Sequence, residues 1–224
     1  AGFGILLLGT VSLSIFFASH APQLGWIGIY SLIFIVFYLF AMRMVYSYEI
    51  KQTALSISKS MDLQYGDIPT RTAVFNYAIN AVIVIIAAMF LPKIGEGIAE
   101  STGLGQSFVG NIFIAISTSL PEVVVSLAAV KIGAVDLAIG NLFGSNIFNI
   151  LILAIDDVLF VKGPLLSFVN QNHAISALSA IMMTAIAIIG LTYRAEKKRM
   201  LLAWDSAGIV AVFMINLVLL YSLR

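Results

Sequence analysis

Residues 73–94 read AVFNYAINAVIVIIAAMFLPKI, with a single charged residue, Lys93, close to the end. The stretch is as long as the roughly 20 residues that an α-helix needs to cross the hydrocarbon core of a bilayer. Because lipid offers the main chain no hydrogen-bond partners, a segment there must satisfy its own amide and carbonyl groups, and a helix does so. This stretch therefore predicts a membrane-spanning α-helix.

The remainder of the chain has the same character. Of 224 residues, 61% are hydrophobic and 10% are charged, and the mean hydropathy is +1.04. Further apolar runs predict spans at about 3–18, 24–46, 104–130, 134–155, 174–193 and 203–222. The predicted fold class is an all-α, polytopic membrane helical bundle of about seven spans. The net charge of +1 provides no basic face for a nucleic-acid partner.

Positive charge is distributed unevenly among the predicted loops. If successive spans alternate in direction, one face receives nine Lys and Arg residues and the other receives three. The positive-inside rule makes the richer face cytoplasmic and places the C-terminus outside. The richer face carries Arg43, Lys51, Lys59, Arg71, Lys131, Arg194, Lys197, Lys198 and Arg199, and the other carries Lys93, Lys162 and Arg224.

The longest polar stretch, residues 47–72, separates two predicted spans from five. Its length and its charged residues are typical of a solvated linker. We therefore expect three parts: the last two spans of an N-terminal half at 1–46, a cytoplasmic linker at 47–72, and a five-span C-terminal half at 73–224.

A candidate site lies in residues 116–122, which read ISTSLPE and place Glu122 near the middle of a span. A carboxylate at that depth costs at least about 2.5 kcal/mol and indicates function. Pro121 loosens the helix and frees carbonyl groups, while Thr118 shares a face with Glu122 and Ser119 lies beside it. Such hard oxygen ligands favour Ca2+ and Na+. The alternative is a proline kink whose polar groups bond to a neighbouring helix.

The next span contains GNLFGSNIFN at residues 140–149. Gly140 and Gly144 form a Gly-x-x-x-Gly pair, which predicts the close approach of another helix. Ser145 and Asn149 lie one turn apart on one face, and further amides flank them. A short turn at 132–134 predicts that this helix runs antiparallel to the Glu122 helix, so that the two polar faces could meet near the midplane, where transporters bind their substrates.

The paired motifs, TSLPE at 118–122 and GNxxGSNxxN at 140–149, resemble one of the two alpha repeats of the cation/Ca2+ exchanger superfamily, closest to prokaryotic sodium/calcium antiporters. The resemblance extends over all seven predicted spans and implies an antiporter of ten spans in two inverted halves that share a central site. This chain then corresponds to the last seven spans, with the second alpha repeat at 104–155. The first repeat is expected upstream of residue 1, as a partner of this one.

The resemblance also implies a ligand set for the transported ions. The implied ligands are Thr118, Ser119, Glu122, Ser145 and Asn149, with the carbonyl of Ala115 as a further one. The implied activity is secondary active exchange of Ca2+ for Na+ across a prokaryotic plasma (inner) membrane, surrounded by lipid, without a cofactor and without enzymatic chemistry. Asn149 departs from the pattern, because sodium/calcium members carry aspartate there.

Two alternatives to this activity stay open. Because a neutral amide at position 149 removes one charge or proton site, exchange of Ca2+ for H+ on the same fold is the nearer alternative. A cation channel, which uses rings of carboxylates or carbonyls from several subunits, is more distant. At the end of the GNLFGSNIFN helix, Asp156 and Asp157 are expected to form an interfacial cap. The alternative, an outer ion vestibule, concerns Asp156, which lies seven residues beyond Asn149 on roughly the same face.

Overall fold

The computed structural model describes residues 1–18, 21–56, 69–104, 106–193 and 203–223. The helices are α1 (Gly2–Phe17), α2 (Ile29–Ser56), α3 (Thr70–Ala88), α4 (Leu91–Thr102), α5 (Gln106–Val109), α6 (Ala115–Lys131), α7 (Val135–Leu159), α8 (Asn172–Tyr193) and α9 (Trp204–Ser222). A π-helical segment (Gly110–Ile114) leads into α6, and a 3₁₀ turn (Leu165–Ser167) follows α7. The short strands β1 (Gln23–Leu24) and β2 (Ile27–Gly28) pair antiparallel before α2. The predicted all-α class is confirmed.

Six helical stretches in the described residues are long and apolar enough to cross a membrane. The seventh predicted span is α1, a shorter apolar helix of 16 residues. The chain is therefore a polytopic membrane bundle, as predicted. The six long stretches are Ile29–Ser47, Thr70–Thr102, Ile112–Lys131, Val135–Leu159, Asn172–Tyr193 and Trp204–Ser222.

Two element boundaries differ from the sequence-based expectation. The helix predicted over 73–94 ends at Ala88, and α4 follows as a separate helix. Pro92 lies in the first turn of α4, where a missing amide hydrogen breaks no helical hydrogen bond. The predicted linker at 47–72 begins as helix, because α2 continues to Ser56. Residues 57–68 of that linker lie outside the described residues.

The chain divides into two compact units, one of residues 1–41 with 119–224 and one of residues 42–118. In the first unit, α1 packs against both α7 and α8, and α8 also packs against α9. Leu7 of α1 and Phe34 of α2 are completely buried, and Ile150 of α7 joins them in one apolar cluster. This cluster fixes one face of α7 against the α1–α2 pair.

Polar and small residues bring α8 and α9 together. The hydroxyl of Ser179 donates a buried hydrogen bond of 3.3 Å to the side-chain oxygen of Asn216. Near the other end of α8, a Cβ built on Gly190 would lie 2.8 Å from the Cβ of Asp205. Interhelical hydrogen bonds and small residues are typical of helix packing inside membranes.

In the second unit, α4 packs against the π-helical segment. Gly95 is buried, and a Cβ at that position would lie 2.7 Å from the Cδ1 atom of Ile114. A cavity of about 230 Å³ lies between α4 and residues 113–117. Its lining is mostly apolar, so it does not resemble an ion site.

Candidate ion-binding site

The connection between α6 and α7 is the short turn that the sequence predicts. α6 ends at Lys131 and α7 begins at Val135. Gly133 has a φ angle of 78°, which a glycine adopts without a steric penalty. The amide of Ala134 donates to the carbonyl of Ala129 at 2.9 Å and closes the turn. Two membrane helices joined in this way run side by side.

One side chain bridges the two helices. The amide nitrogen Nδ2 of Asn141 donates to the main-chain carbonyl of Glu122 at 3.2 Å and to the hydroxyl of Ser126 at 3.0 Å. Both hydrogens of the amide are thereby used. The sequence indicates that amides flank Ser145 and Asn149, but it does not predict this bridge. The signal was a mid-span amide that needed a partner, but the sequence did not say which partner.

Glu122 lies at the centre of the span Ile112–Lys131. Its Oε2 atom is buried and has no hydrogen-bond partner among the described residues. Burying an ionised carboxylate oxygen without a partner is costly, and in a membrane the cost is not recovered from water. Glu122 is therefore the first candidate for a ligand-binding carboxylate in this span.

The hydroxyl of Thr118 bonds to its own helix. Its Oγ1 atom donates to the carbonyl oxygens of Ile114 at 3.0 Å and of Ala115 at 3.2 Å. Since the hydroxyl hydrogen points at these carbonyls, the oxygen lone pairs are left as acceptors. The π-helical turn just before Ala115 is a distortion found frequently at functional sites.

Pro121 lies inside α6, which continues from Ala115 to Lys131. Because proline has no amide hydrogen, the carbonyl of Ser117 loses the main-chain donor it would otherwise have four residues later. The neighbouring Ser119 side chain is exposed. The segment thus combines hydroxyls, a carbonyl without its usual donor and a carboxylate within about two turns.

On α7, the Oγ atom of Ser145 donates to the carbonyl of Leu142 at 3.1 Å, and the side chain of Asn149 is exposed. Among the described residues, no hydrogen bond joins either side chain to Glu122, so their convergence stays a prediction. The expected close approach at Gly140 and Gly144 is not met by the described chain. No described atom lies within 4 Å of a Cβ built on either glycine.

The described residues contain no group of three or more His, Cys, Asp and Glu side chains that could hold a metal ion. Glu122 thus belongs to no such cluster among the described residues. Fold and site together define a helical integral membrane protein with a polar cluster at mid-span.

The comparison with known families gives the class a name. The family model described as sodium/calcium exchanger protein matches residues 72–222, more than half of the chain. The chain belongs to this family, and the resemblance to the cation/Ca2+ exchanger superfamily is confirmed.

Individual relatives agree with this assignment. The sodium/calcium exchanger MaX1 of Methanosarcina acetivorans is 28% identical over 66% of this chain and 40% of its own length. Inner membrane protein YrbG of Escherichia coli is 36% identical over 34% of this chain and 23% of its own length. Sodium/potassium/calcium exchanger 5 of Homo sapiens is 37% identical over 34% of this chain and 15% of its own length. The matched part is less than half of each relative. No solved structure matches the chain.

Proposed function

We propose that this chain supplies the C-terminal part of a secondary active antiporter that exchanges Ca2+ for Na+, with the ions bound around Glu122. The observation that carries the proposal is the buried, unpartnered Oε2 atom of Glu122 at the centre of a span. The family assignment of residues 72–222 supports the same activity. The proposed site lies in a five-span half at 73–224, and an upstream repeat would complete it.

The proposed ligands share hard oxygen chemistry. The oxygens of Thr118 and Glu122, the carbonyl of Ala115 and the hydroxyl of Ser119 come from α6, and Ser145 and Asn149 come from α7. The Asn141 bridge supports this set, because it holds α7 beside Glu122. Ser145 and Asn149 follow Asn141 by about one and two helical turns. A site of this kind binds Ca2+ through charge and Na+ through neutral oxygens.

Exchange of Ca2+ for H+ is the competing assignment, which the neutral Asn149 leaves open. Position 149 carries no carboxylate that could take up and release protons. Glu122 would then have to bind the coupling proton. In that case a proton and Ca2+ would compete for the same carboxylate. A pH gradient, rather than a Na+ gradient, would then drive the flux.

Transport by the complete protein in reconstituted vesicles separates these assignments. Vesicles loaded with Na+ and diluted into Na+-free buffer should take up radioactive Ca2+, and vesicles with equal Na+ on both sides should not. Uptake that follows only a pH gradient would replace Na+ with H+ as the coupling ion. A Ca2+ current that flows without any counter-ion gradient would overturn the antiporter assignment in favour of a channel.

A further inference from the structure

The C-terminal end of α7 carries a second acidic residue whose surroundings differ from those of Glu122. The side chain of Asp157 is completely buried, with 0% exposure, whereas its neighbour Asp156 is exposed. The expectation of an interfacial cap is therefore wrong for Asp157, because its carboxylate is buried inside the protein.

Four donors converge on this carboxylate. The Oδ1 atom accepts hydrogen bonds from the hydroxyl of Tyr30 at 2.8 Å and from the amide of Leu165 at 2.6 Å. The Oδ2 atom accepts from the amide of Gly28 at 2.9 Å and from the hydroxyl of Ser31 at 2.6 Å. A carboxylate offers about four lone-pair sites, so these donors fill it. Asp157 is therefore not a vestibule ligand for a passing cation.

The donors also explain how a buried negative charge is tolerated. Gly28, Tyr30 and Ser31 stand at the beginning of α2, where unpaired amides and the helix dipole favour an anion. Asp157 thus serves as the N-terminal anion of α2 while belonging to α7.

Further bonds strengthen the same junction. The indole Nε1 atom of Trp26 donates to the carbonyl of Val158 at 3.0 Å. The hydroxyl of Tyr30 accepts from the amide of Leu166 at 3.0 Å while it donates to Asp157. Two adjacent residues of α7, Asp157 and Val158, therefore join three elements: the β1–β2 hairpin, the start of α2 and the loop after α7. Bonds from several directions fix both the rotation of α7 about its axis and its height along it.

Along the same helix lie two of the proposed ion ligands. Ser145 and Asn149 precede Asp157 by about 18 Å and 12 Å along α7 at 1.5 Å per residue. The helix contains no proline over Val135–Leu159, so it transmits a rotation or a shift along its length. At its other end, Asn141 holds α7 to α6. The ligand-bearing segment is held between these two attachments.

We infer that Asp157 is a positioning residue that sets the orientation of Ser145 and Asn149 by anchoring α7 to the start of α2. The inference rests on the proposed function, because it assumes that these side chains bind the transported ion. Asp157 itself does not touch the ion. Its removal should therefore weaken ion affinity more than it lowers the maximal rate of the protein that remains folded.

The test uses Asp157→Asn in the complete protein, with Asp136→Asn as the matched control on an exposed aspartate of the same helix. In Asp157→Asn, the amide nitrogen faces groups that themselves donate, so the junction loses at least one bond. The Ca2+ concentration for half-maximal uptake should rise about tenfold or more, the usual effect of removing a group that orients a ligand. The maximal rate per inserted protein should change much less. Asp136→Asn should match the wild type.

A second, milder variant covers the possibility that Asp157→Asn does not fold. Ser31→Ala removes one donor and keeps the carboxylate. The half-maximal Ca2+ concentration should therefore rise in this variant too, but by less. Unchanged half-maximal Ca2+ concentrations in the inserted protein, for either variant, would overturn the inference. Failure of the proposed function looks different: the wild type itself would show no saturable Ca2+ uptake, or Glu122→Gln would be as active as the wild type.

Discussion

The side-chain amide of Asn141 donates a hydrogen bond of 3.2 Å to the main-chain carbonyl of Glu122. The peptide that follows Pro121 is thus held by α7, while the Oε2 atom of the same residue has no partner among the described residues. A fixed main chain and an unpartnered carboxylate are together what we expect of a residue that binds a cation at a defined position.

Replacing Asn141 by alanine should therefore weaken Ca2+ binding without removing a ligand. Loss of the bridge leaves the Glu122 segment free to shift against α7, and the half-maximal Ca2+ concentration should rise about tenfold or more. Initial rates of Ca2+ uptake by the complete protein provide the measurement. Asn146→Ala, on an exposed amide of the same helix, is the control. Equal effects at the two positions would remove Asn141 from the site.

Replacing Asn149 by aspartate should change the coupling. An added carboxylate beside the site supplies one negative charge, which favours an additional Na+ or H+ per cycle. We expect a shift in the Na+ or pH dependence of Ca2+ flux beyond any change in maximal rate.

The control for that experiment is Asn80→Asp, near the middle of α3, a helix with no buried residues. It adds the same charge to a membrane helix that carries none of the proposed ligands. Asn141→Asp is unsuitable as a control, since Asn141 contacts Glu122. Wild-type ion dependence in Asn149→Asp, or an equal shift in Asn80→Asp, would show that position 149 does not set the coupling.

The proposed orientation predicts opposite accessibility at the two ends of α7. Lys131 lies before this helix and Lys162 after it, and both side chains are exposed. Residues 1–224 contain no cysteine, so the introduced cysteine is the only thiol in this part of the protein. An impermeant thiol reagent added outside intact cells should label Lys162→Cys and spare Lys131→Cys. The reverse pattern would invert the assigned topology.

Packing between α8 and α9 predicts a difference in stability between two glycines. A Cβ at Gly190 would lie 2.8 Å from the Cβ of Asp205, whereas one at Gly208 would lie 3.4 Å from Ile186. Gly190→Ala should destabilise the protein by about 1–3 kcal/mol through overpacking. Gly208→Ala should be neutral or stabilising by up to about 1 kcal/mol, the helix propensity gain. Thermal unfolding of the purified protein in detergent compares them, and equal unfolding temperatures would contradict the close contact.

Hydropathy was sufficient to predict the helical membrane fold and most of its spans, because lipid leaves the main chain few other options. The separate helix α4 and the π-helical segment before Ala115 were not predicted. α4 begins where Pro92 and Lys93 end the apolar run, and the predicted span was extended across that signal. The π-helical segment lies inside an apolar run without such a signal, and it depends on packing such as Gly95 against Ile114.

The candidate site was predicted in part. Glu122 stood out because a mid-span carboxylate is rare, and the turn at Gly133 followed from its length. The Asn141 bridge and the burial of Asp157 depend on partners 8 to 129 positions away in the chain, and no local pattern encodes such pairs. Asp156 and Asp157 are adjacent and chemically identical, so the sequence does not distinguish them. Only the tertiary structure shows that one is exposed and the other buried.

The central claim is that the Glu122 carboxylate binds the transported Ca2+, and Ca2+ uptake by Glu122→Gln in the complete protein tests it most directly. The amide keeps the shape of the side chain but loses the charge that Ca2+ requires. Membrane insertion should be normal, while uptake should fall to the level of protein-free vesicles. Glu96→Gln, on an exposed glutamate of α4, should transport as the wild type does. Near-normal Ca2+ exchange by well-inserted Glu122→Gln protein would contradict the assignment of the site.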